Sequence, residues 1–515
     1  MRLRRALVLV ATSLAAFTAT LDNTVVAVAL RDVQEDLGAG VAELQGIVTA
    51  YTVALAALLL TGGTLADVWG RRRVLLAGLA VFAAASAACA TADTAGSLIA
   101  ARAVQGVGAA LVLPGGLAVL AAAYPEAGPR ARAVGIWAAT GAAALVAGPL
   151  VGGLLVAAAG WPAVFWVNLP LCAAVALVVA FAPAGPPPQQ GRRLDLPGQL
   201  LAVVGLAAGT YAIVLGGRDG LGAPVLLAGG CAVASFVGFL AVERRASDPV
   251  LPLAVLRERG FLGATVGAFA ASLAVFVLLV FLSLFLQLVQ QREALPAGLR
   301  LLPLTVALVV TAPMAGRLAA RRGPRLPVVA GLLLTAAGLA LLAVRLDPEL
   351  ADAELLTLLG VCGLGIGLTT APVVTASLDA VASERSGLAA ATVNVARELG
   401  GVVAVAGLGA VVVARLGGDL LARLLALGVP TANSDVLVEA LLRGASQTEV
   451  LDLSGGKVPL DVLLQLRAAA EVSYVGSVRL ALLGAALTLL ASAVLCARTL
   501  AAVRPETRVD QLDHA

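Results

Sequence analysis

The sequence predicts an all-α polytopic membrane protein: two six-helix bundles plus two additional central transmembrane helices. Three observations carry that expectation. Of the 515 residues, 60% are hydrophobic and only 13% charged, too little polar surface to cover a soluble globule of this length. Apolar windows of about 20 residues recur along the chain, matching a hydrocarbon core of roughly 30 Å at about 1.5 Å per helical residue. Their long runs of Ala, Leu, Val and Gly lack the short alternation of barrel strands. Finally, the decapeptide GTLADVWGRR, Gly63 to Arg72, returns in register as GRLAARRGPR, Gly316 to Arg325, 253 positions later.

Fourteen windows can be counted, over about 6–29, 44–63, 74–91, 96–120, 132–156, 163–182, 197–217, 225–242, 261–286, 299–316, 327–344, 355–377, 388–413 and 478–500. Six precede the proline-rich basic stretch from Pro183 to Gly198, and six follow the charged stretch from Glu243 to Gly260. The expected division is an N-terminal six-helix bundle over 1–182, a linker with two extra spans over 183–260, a C-terminal bundle over 261–500 and a cytoplasmic tail over 501–515. The second bundle includes an outer loop at 415–477 with five basic and seven acidic residues, in which Asp435 to Leu442 and Leu460 to Ala470 have helical spacing and suggest an amphipathic surface cap.

Charge supplies the orientation. Arg2, Arg4, Arg5, Arg71 to Arg73, Arg192, Arg193, Arg321 and Arg322 fall on one side of the spans. The short loops of the other side hold five basic residues, Arg31, Arg218, Arg292, Arg300 and Arg345, against eleven acidic ones. Such a bias puts both termini in the cytoplasm and makes the net charge of +4 a topology signal rather than a nucleic-acid groove. With 34 arginines against the one lysine, Lys457, the chain reads as bacterial and of the plasma membrane. The N-terminal arginines and apolar run lack a small-residue cleavage site and read as a retained first helix.

Several classes fall away. Cys89, Cys172, Cys231, Cys362 and Cys496 show no CxxC pairing, so neither a disulfide nor a metal site is expected. Gly455, Gly456 and Lys457 lack the spacing and the hydroxyl of a phosphate loop, which argues against an ATP-driven pump. The single histidine, His514, is in the tail, and no nucleophile or paired-carboxylate motif suggests an enzyme.

The polar residues inside the spans carry the functional reading. In span one, Asp22 stands in LDNTVVAVAL beside Asn23 and Thr24. An ionised carboxylate in a membrane helix costs on the order of 3 kcal/mol, so Asp22 is expected to take up a proton near neutral pH; the alternative is permanent pairing with Arg102 or capping by Asn23 and Thr24. In the loop after span two, the glycines Gly63 and Gly70 permit tight turning, Arg71 and Arg72 anchor the loop inside, and Asp67 can bond a neighbouring helix end or an arginine. In span four, Arg102, Gln105, Gly106 and Gly108 form RxxQGxG; a guanidinium stays charged, so a buried Arg102 needs a partner or a water-filled cavity. Span five carries Ala144, Gly148, Pro149, Gly152 and Gly153, small residues that admit close helix packing around a proline that removes one backbone hydrogen bond. Span thirteen holds Asn394, Arg397, Glu398 and Gly400. Arg397 and Glu398 point about 100° apart on a helix and can have different partners.

These motifs resemble the major facilitator superfamily, in particular its fourteen-span drug:proton antiporter branch (EmrB/QacA type). The loop matches G-x-L-A-D-[RK]-x-G-[RK]-[RK] at Gly63, Leu65, Ala66, Asp67, Gly70, Arg71 and Arg72, with Val68 replacing a basic residue. Span one resembles L-D-x-T-V-V-N-V-A-L-P, with Ala27 and Arg31 as departures; span five resembles the antiporter motif, with Ala144 in place of Gly. Trp161, Phe165, Asn168 and Pro170 keep W-R-W-x-F-x-I-N-x-P but for Pro162, and Leu44, Gln45, Thr49 and Tyr51 resemble L-Q-W-x-x-x-x-Y, with Gly46 in place of Trp.

The resemblance implies proton-coupled multidrug or antibiotic efflux by alternating access. The loop would act as a conformational latch, and Asp22, Arg102, Glu398 and Arg397 as proton-coupling groups; a mere topology anchor and structural pairing are the alternatives. It implies no cofactor beyond the proton gradient, a monomer, and small-molecule and proton partners within the bilayer. A binding cavity is expected near the midplane between the halves, with Asn23, Tyr51, Gln105, Trp137, Phe269, Phe276, Met314 and Asn394 as candidate lining, together with Phe17. The competing functions are a dedicated exporter of one natural product or lipid precursor, and a non-transporting membrane sensor. The second loop copy has Ala320 where the first has Asp67, so coupling and gating chemistry are expected mainly before Pro183.

Overall fold

The computed structural model describes residues 2–39, 41–181, 195–219, 222–246, 258–292, 294–381, 386–409 and 460–500, with a few single positions between. The linker arginines, the loop segment Asp435 to Leu442, Lys457 and the tail with His514 lie outside the described residues. Every regular element among those described is helical.

The chain enters as α1 (Arg2–Leu37), α2 (Val41–Trp69) and α3 (Arg71–Ala90). Gly70, between α2 and α3, has φ 97°, a left-handed conformation that side chains resist, and the matching glycine of the second copy, Gly323, has φ 80°. The repeat read from the sequence is thus a repeated backbone turn. α4 (Ala95–Ala123) starts with a capping box, in which the Thr94 hydroxyl accepts from the Ser97 backbone N–H and the Ser97 hydroxyl accepts from Thr94 N–H. α5 (Ala127–Ala159) contains the expected fifth span, and the short α6 (Ala163–Trp166) runs through Val167 into α7 (Asn168–Ala180).

Two helices follow, α8 (Leu196–Asp219) and α9 (Ala223–Glu243), packed mainly on each other; α8 also touches α2 and the π-helical turn Val403–Leu408, whereas α9 leaves Leu226, Leu227, Phe236 and Val237 exposed. The second half comprises α10 (Arg259–Leu284), α11 (Ala294–Arg300), α12 (Leu302–Arg322), α13 (Arg325–Arg345), α14 (Asp352–Asp379), α15 (Ser386–Val402) and α16 (Leu460–Thr499). Among the described helices, 13 are long and apolar enough to cross a membrane, and the remaining expected span, 132–156, lies within α5.

The last span begins earlier than its apolar window suggests. Leu460 to Ala470 are continuous with α16, and Ser473, Tyr474, Val475 and Ser477 are already buried, the Tyr474 hydroxyl donating to Phe281 O at 3.1 Å. Hydropathy missed this turn because its polar atoms are satisfied inside the bundle.

Packing repeats the duplication. α2 and α3 lie on α4 and α1 lies on α5, as α12 and α13 lie on α14 and α10 lies on α15. The halves meet where α5 crosses α12 and where α15 crosses α2 and α4.

Candidate proton-coupling site and latch between the halves

The buried polar site is assembled by glycines. Gly106 presses α4 against α2 so closely that a methyl group there would lie 2.5 Å from Tyr51 O, and at Gly108 one would lie 2.6 Å from Phe82 N on α3. This seating brings Arg102 and Gln105 of α4 against Asp22 of α1, Ser86 and Cys89 of α3, and Asn168 of α7. Asp22, Arg102, Gln105 and Ser86 are all 0% exposed.

Arg102 Nη1 donates to Asp22 Oδ2 at 2.5 Å and to Gln105 Oε1 at 2.6 Å, and its Nε donates to Ile47 O at 3.3 Å. The guanidinium lies 4.3 Å from the centre of the Tyr51 ring, whose hydroxyl donates to Ala19 O at 2.9 Å. Gln105 Nε2 and Asn168 Nδ2 donate to Asp22 Oδ1 at 2.8 and 2.7 Å, and both also donate to Ser86 Oγ, at 2.7 and 3.2 Å. The Cys89 thiol donates to Gln105 Oε1 at 3.6 Å. The desolvation of a buried ion pair is offset by further hydrogen bonds; three donors supply them on the carboxylate, whereas Arg102 Nη2 is buried without a hydrogen-bond partner among the described residues. Of the two arrangements open to Asp22 in the sequence, pairing with Arg102 is the one this conformation adopts; Thr24 spends its hydroxyl on Leu21 O.

Asp67 is buried and reaches the other half: Oδ1 accepts from Gly387 N at 3.0 Å and Oδ2 from Leu388 N at 3.1 Å. These are orphan N–H groups of the first turn of α15, and the helix dipole favours an anion there. The approach needs glycine on both sides, since a methyl group at Gly387 would lie 2.6 Å from Asp67 Oδ1 and 2.5 Å from Gly63 O. Arg71 is buried beside the loop, whereas Arg72 is only partly so. The second copy mirrors the crossing, Gly316 lying against the carbonyl of Ala131 on α5, but Ala320 offers no carboxylate. A salt bridge from Arg130 of α5 to Asp379 at the end of α14 ties that side instead.

The antiporter glycines act at a third close approach. A side chain at Gly148 would overlap the Thr24 hydroxyl, and one at Gly152 would lie 2.8 Å from Val25 Cγ2, so α5 is pressed against α1 just beyond Asp22; Gly153 faces open space.

The other candidates are dispersed. Arg397 and Glu398 are partly buried and attract each other, but neither makes a hydrogen bond or ion pair among the described residues; Glu398 is near enough for its charge to be felt at Tyr51. Asn394 turns its amide to Ala390 O of its own helix. The partly buried Phe269 and Phe276 back onto Gly400 and Gly401 of α15, Trp137 is buried in the core of the first half, Asn23 is half-buried, and Met314 is exposed. Phe17 lines a shallow apolar groove of about 360 Å³ between α1 and α5, with Leu9, Val10, Ser13, Ile136 and Thr140. Outside the spans, the Glu126 carboxyl is held below its ordinary range by a backbone hydrogen bond and by Arg5, which fastens the start of α1 to the loop before α5.

Ser86, Cys89 and the helix end at Gly387 escaped the sequence reading. Ser86 follows Gly78 and Phe82 at four-residue steps on the face of α3 that meets α4, a helical register that marks it as inward-facing.

Comparison with known proteins agrees with this architecture. The family model of the Major Facilitator Superfamily matches residues 12–405. The chain is 35% identical over 491 residues to the multidrug resistance protein Stp of Mycobacterium tuberculosis, covering 94% of this chain and 90% of that one. It is 34% identical over 423 residues to the tetracenomycin C resistance and export protein of Streptomyces glaucescens, covering 79% and 76% respectively. Its backbone superposes on the crystal structure of the human organic anion transporter MFSD10 with a TM-score of 0.57 at 16% identity, over 90% of this chain and 99% of that one. With the duplicated helical halves, the paired glycine turns and a family model spanning most of the sequence, the chain belongs to the Major Facilitator Superfamily.

Proposed function

We propose that this protein is a drug efflux transporter of the plasma membrane that exports lipophilic or cationic small molecules in exchange for protons, with both termini in the cytoplasm. The observation that carries the reading is the fully buried Asp22–Arg102 pair with its amide donors, in a chain whose relatives are named for resistance and export. Asp22 is the protonatable group: neutralising it removes the attraction that holds Arg102 between α1, α2 and α4. Glu398, across from Tyr51, is the second such group, with Arg397 beside it.

Gating follows from the crossings between the halves. Asp67 capping α15 and Arg130 bound to Asp379 both close the arginine-rich end, so opening toward the cytoplasm requires both to part. Protons entering from outside load Asp22 and favour return to the inward-facing state after substrate release. The protein acts as a monomer, draws on the proton gradient rather than a cofactor, and performs no chemical conversion.

The test is accumulation of ethidium and antibiotics in cells with and without an uncoupler, together with substrate-induced proton movement in vesicles. Wild type should export and Asp22→Asn should not; equal accumulation without substrate-driven proton flux in either would refute the proposal. A relative named for one compound, tetracenomycin C, favours a second reading, a dedicated exporter of one natural product. A broad toxin panel would then show no phenotype.

A further inference from the structure

The stretch from Trp161 to Pro170 is accounted for neither by the latch nor by the ion pair itself, yet it delivers Asn168 to the buried carboxylate. Asn168 is 1% exposed and is the first residue of α7, just past the junction at Val167. Its Nδ2 and the Nε2 of Gln105 each bridge Asp22 Oδ1 and Ser86 Oγ, so two nitrogens and two oxygens close a four-sided ring.

The two amides are not equivalent. The oxygen of Gln105 accepts from the Arg102 guanidinium at 2.6 Å and from the Cys89 thiol at 3.6 Å. Turning that amide over would set its N–H groups against a cation and its carbonyl against an anion. The oxygen of Asn168 accepts no hydrogen bond among the described residues. Once Asp22 is protonated, Asn168 can turn without breaking a charge-assisted bond, which is about twice as strong as a neutral one, whereas Gln105 would still lose its bond to Arg102.

An ionised carboxylate only accepts hydrogen bonds, whereas a carboxylic acid also donates one. A proton arriving at Asp22 Oδ1 therefore meets two amide hydrogens where it needs an acceptor. We propose that Asn168 is the positioning residue that reads the protonation state of Asp22: its Nδ2 holds the carboxylate, and its amide turns to offer Oδ1 to the new O–H when the proton arrives. One O–H bond forms on Asp22 as one breaks on a hydronium ion from the aqueous phase, leaving water; Arg102 keeps its charge, and the pair passes from neutral to a net single positive charge. The groups facing Asp22 are Arg102 on α4, Tyr51 on α2, Cys89 on α3 and Cys172 on α7; among the described residues Arg102 is the one charge in contact with it.

This role rests on proton-coupled export, and the test separates the two. Infrared difference spectra of the full-length protein in liposomes, taken between high and low pH, isolate the Asp22 carboxyl by comparison with Asp22→Asn and the Asn168 amide by comparison with Asn168→Leu. The expected result is that an amide carbonyl band shifts together with Asp22 protonation and that the shift is absent from both variants. The pH profile of substrate-driven proton release in Asn168→Leu should move upward by about one unit, a tenfold change, because the carboxylate has lost a donor. Ser86→Ala, which preserves the amides but frees their orientation, should move it the same way by less, and serves should Asn168→Leu fail to fold. An Asp22 carboxyl band with no accompanying amide shift, or profiles unchanged in both variants, would overturn the proposal. Wild-type proton coupling in Asp22→Asn would instead defeat the export mechanism, while the amide band still decides the role of Asn168.

Discussion

Among the described residues, Arg102 carries the largest fully buried side chain, and its environment explains why arginine stands there. It spends Nε on a backbone carbonyl of α2 and Nη1 on two side chains while its plane lies over Tyr51. A lysine offers one compact ammonium with neither the fork nor the stacking plane, so Arg102→Lys should abolish proton-coupled export despite keeping the charge. Removing one member of a buried pair strands the other at a penalty of about 3–5 kcal/mol. Asp22→Ala should therefore lower the thermal unfolding temperature of the purified protein, and adding Arg102→Met should recover much of the loss; a double variant no more stable than the single would contradict the buried-pair account. Asp22, Arg102 and Gln105 were legible in the sequence because polar residues in apolar runs are conspicuous. Ser86 was not, since a lone serine in a membrane helix satisfies itself on its own backbone as readily as it accepts from a neighbour.

Among the elements, the repeated loop connects sequence to gating most directly. Both copies keep the left-handed glycine, Gly70 and Gly323, and both put a small residue against the opposite half, Gly63 on Gly387 and Gly316 on Ala131. Only the first keeps the carboxylate. Asp67→Asn retains one acceptor oxygen and loses the charge that the α15 N-terminus favours, so transport should fall far more than for any substitution at Ala320. Gly387→Ala, which forces a methyl group toward Asp67, should behave like Asp67→Asn in vesicle transport assays. On the other crossing, Arg130→Asp should weaken transport, and pairing it with Asp379→Arg should restore part of it; no restoration would mean that the salt bridge seen there does not hold the halves together. The loop, its turn and its asymmetry were readable from residues alone. The partner of Asp67 was not, because the start of a helix more than 300 residues away is fixed only by how the halves dock.

For the whole molecule, composition and the 253-residue repeat were enough to announce two related helical halves, since burying about 20 apolar residues per span leaves few alternatives. They could not locate the start of the last span within α16, because segment 471–477 is polar in sequence yet lies within the span. Orientation is an independent claim at this scale. A membrane-impermeant maleimide should label Arg321→Cys only from the cytoplasmic face and Glu349→Cys only from outside; the reverse pattern would invert the direction of transport. The central claim is that Asp22, held by Arg102, Gln105 and Asn168, couples proton entry to drug exit. It is tested most directly by recording proton flux in liposomes containing the purified protein when ethidium is added, for wild type and Asp22→Asn side by side. The account predicts substrate-driven proton movement in wild type and none in the variant; equal flux in both would contradict it.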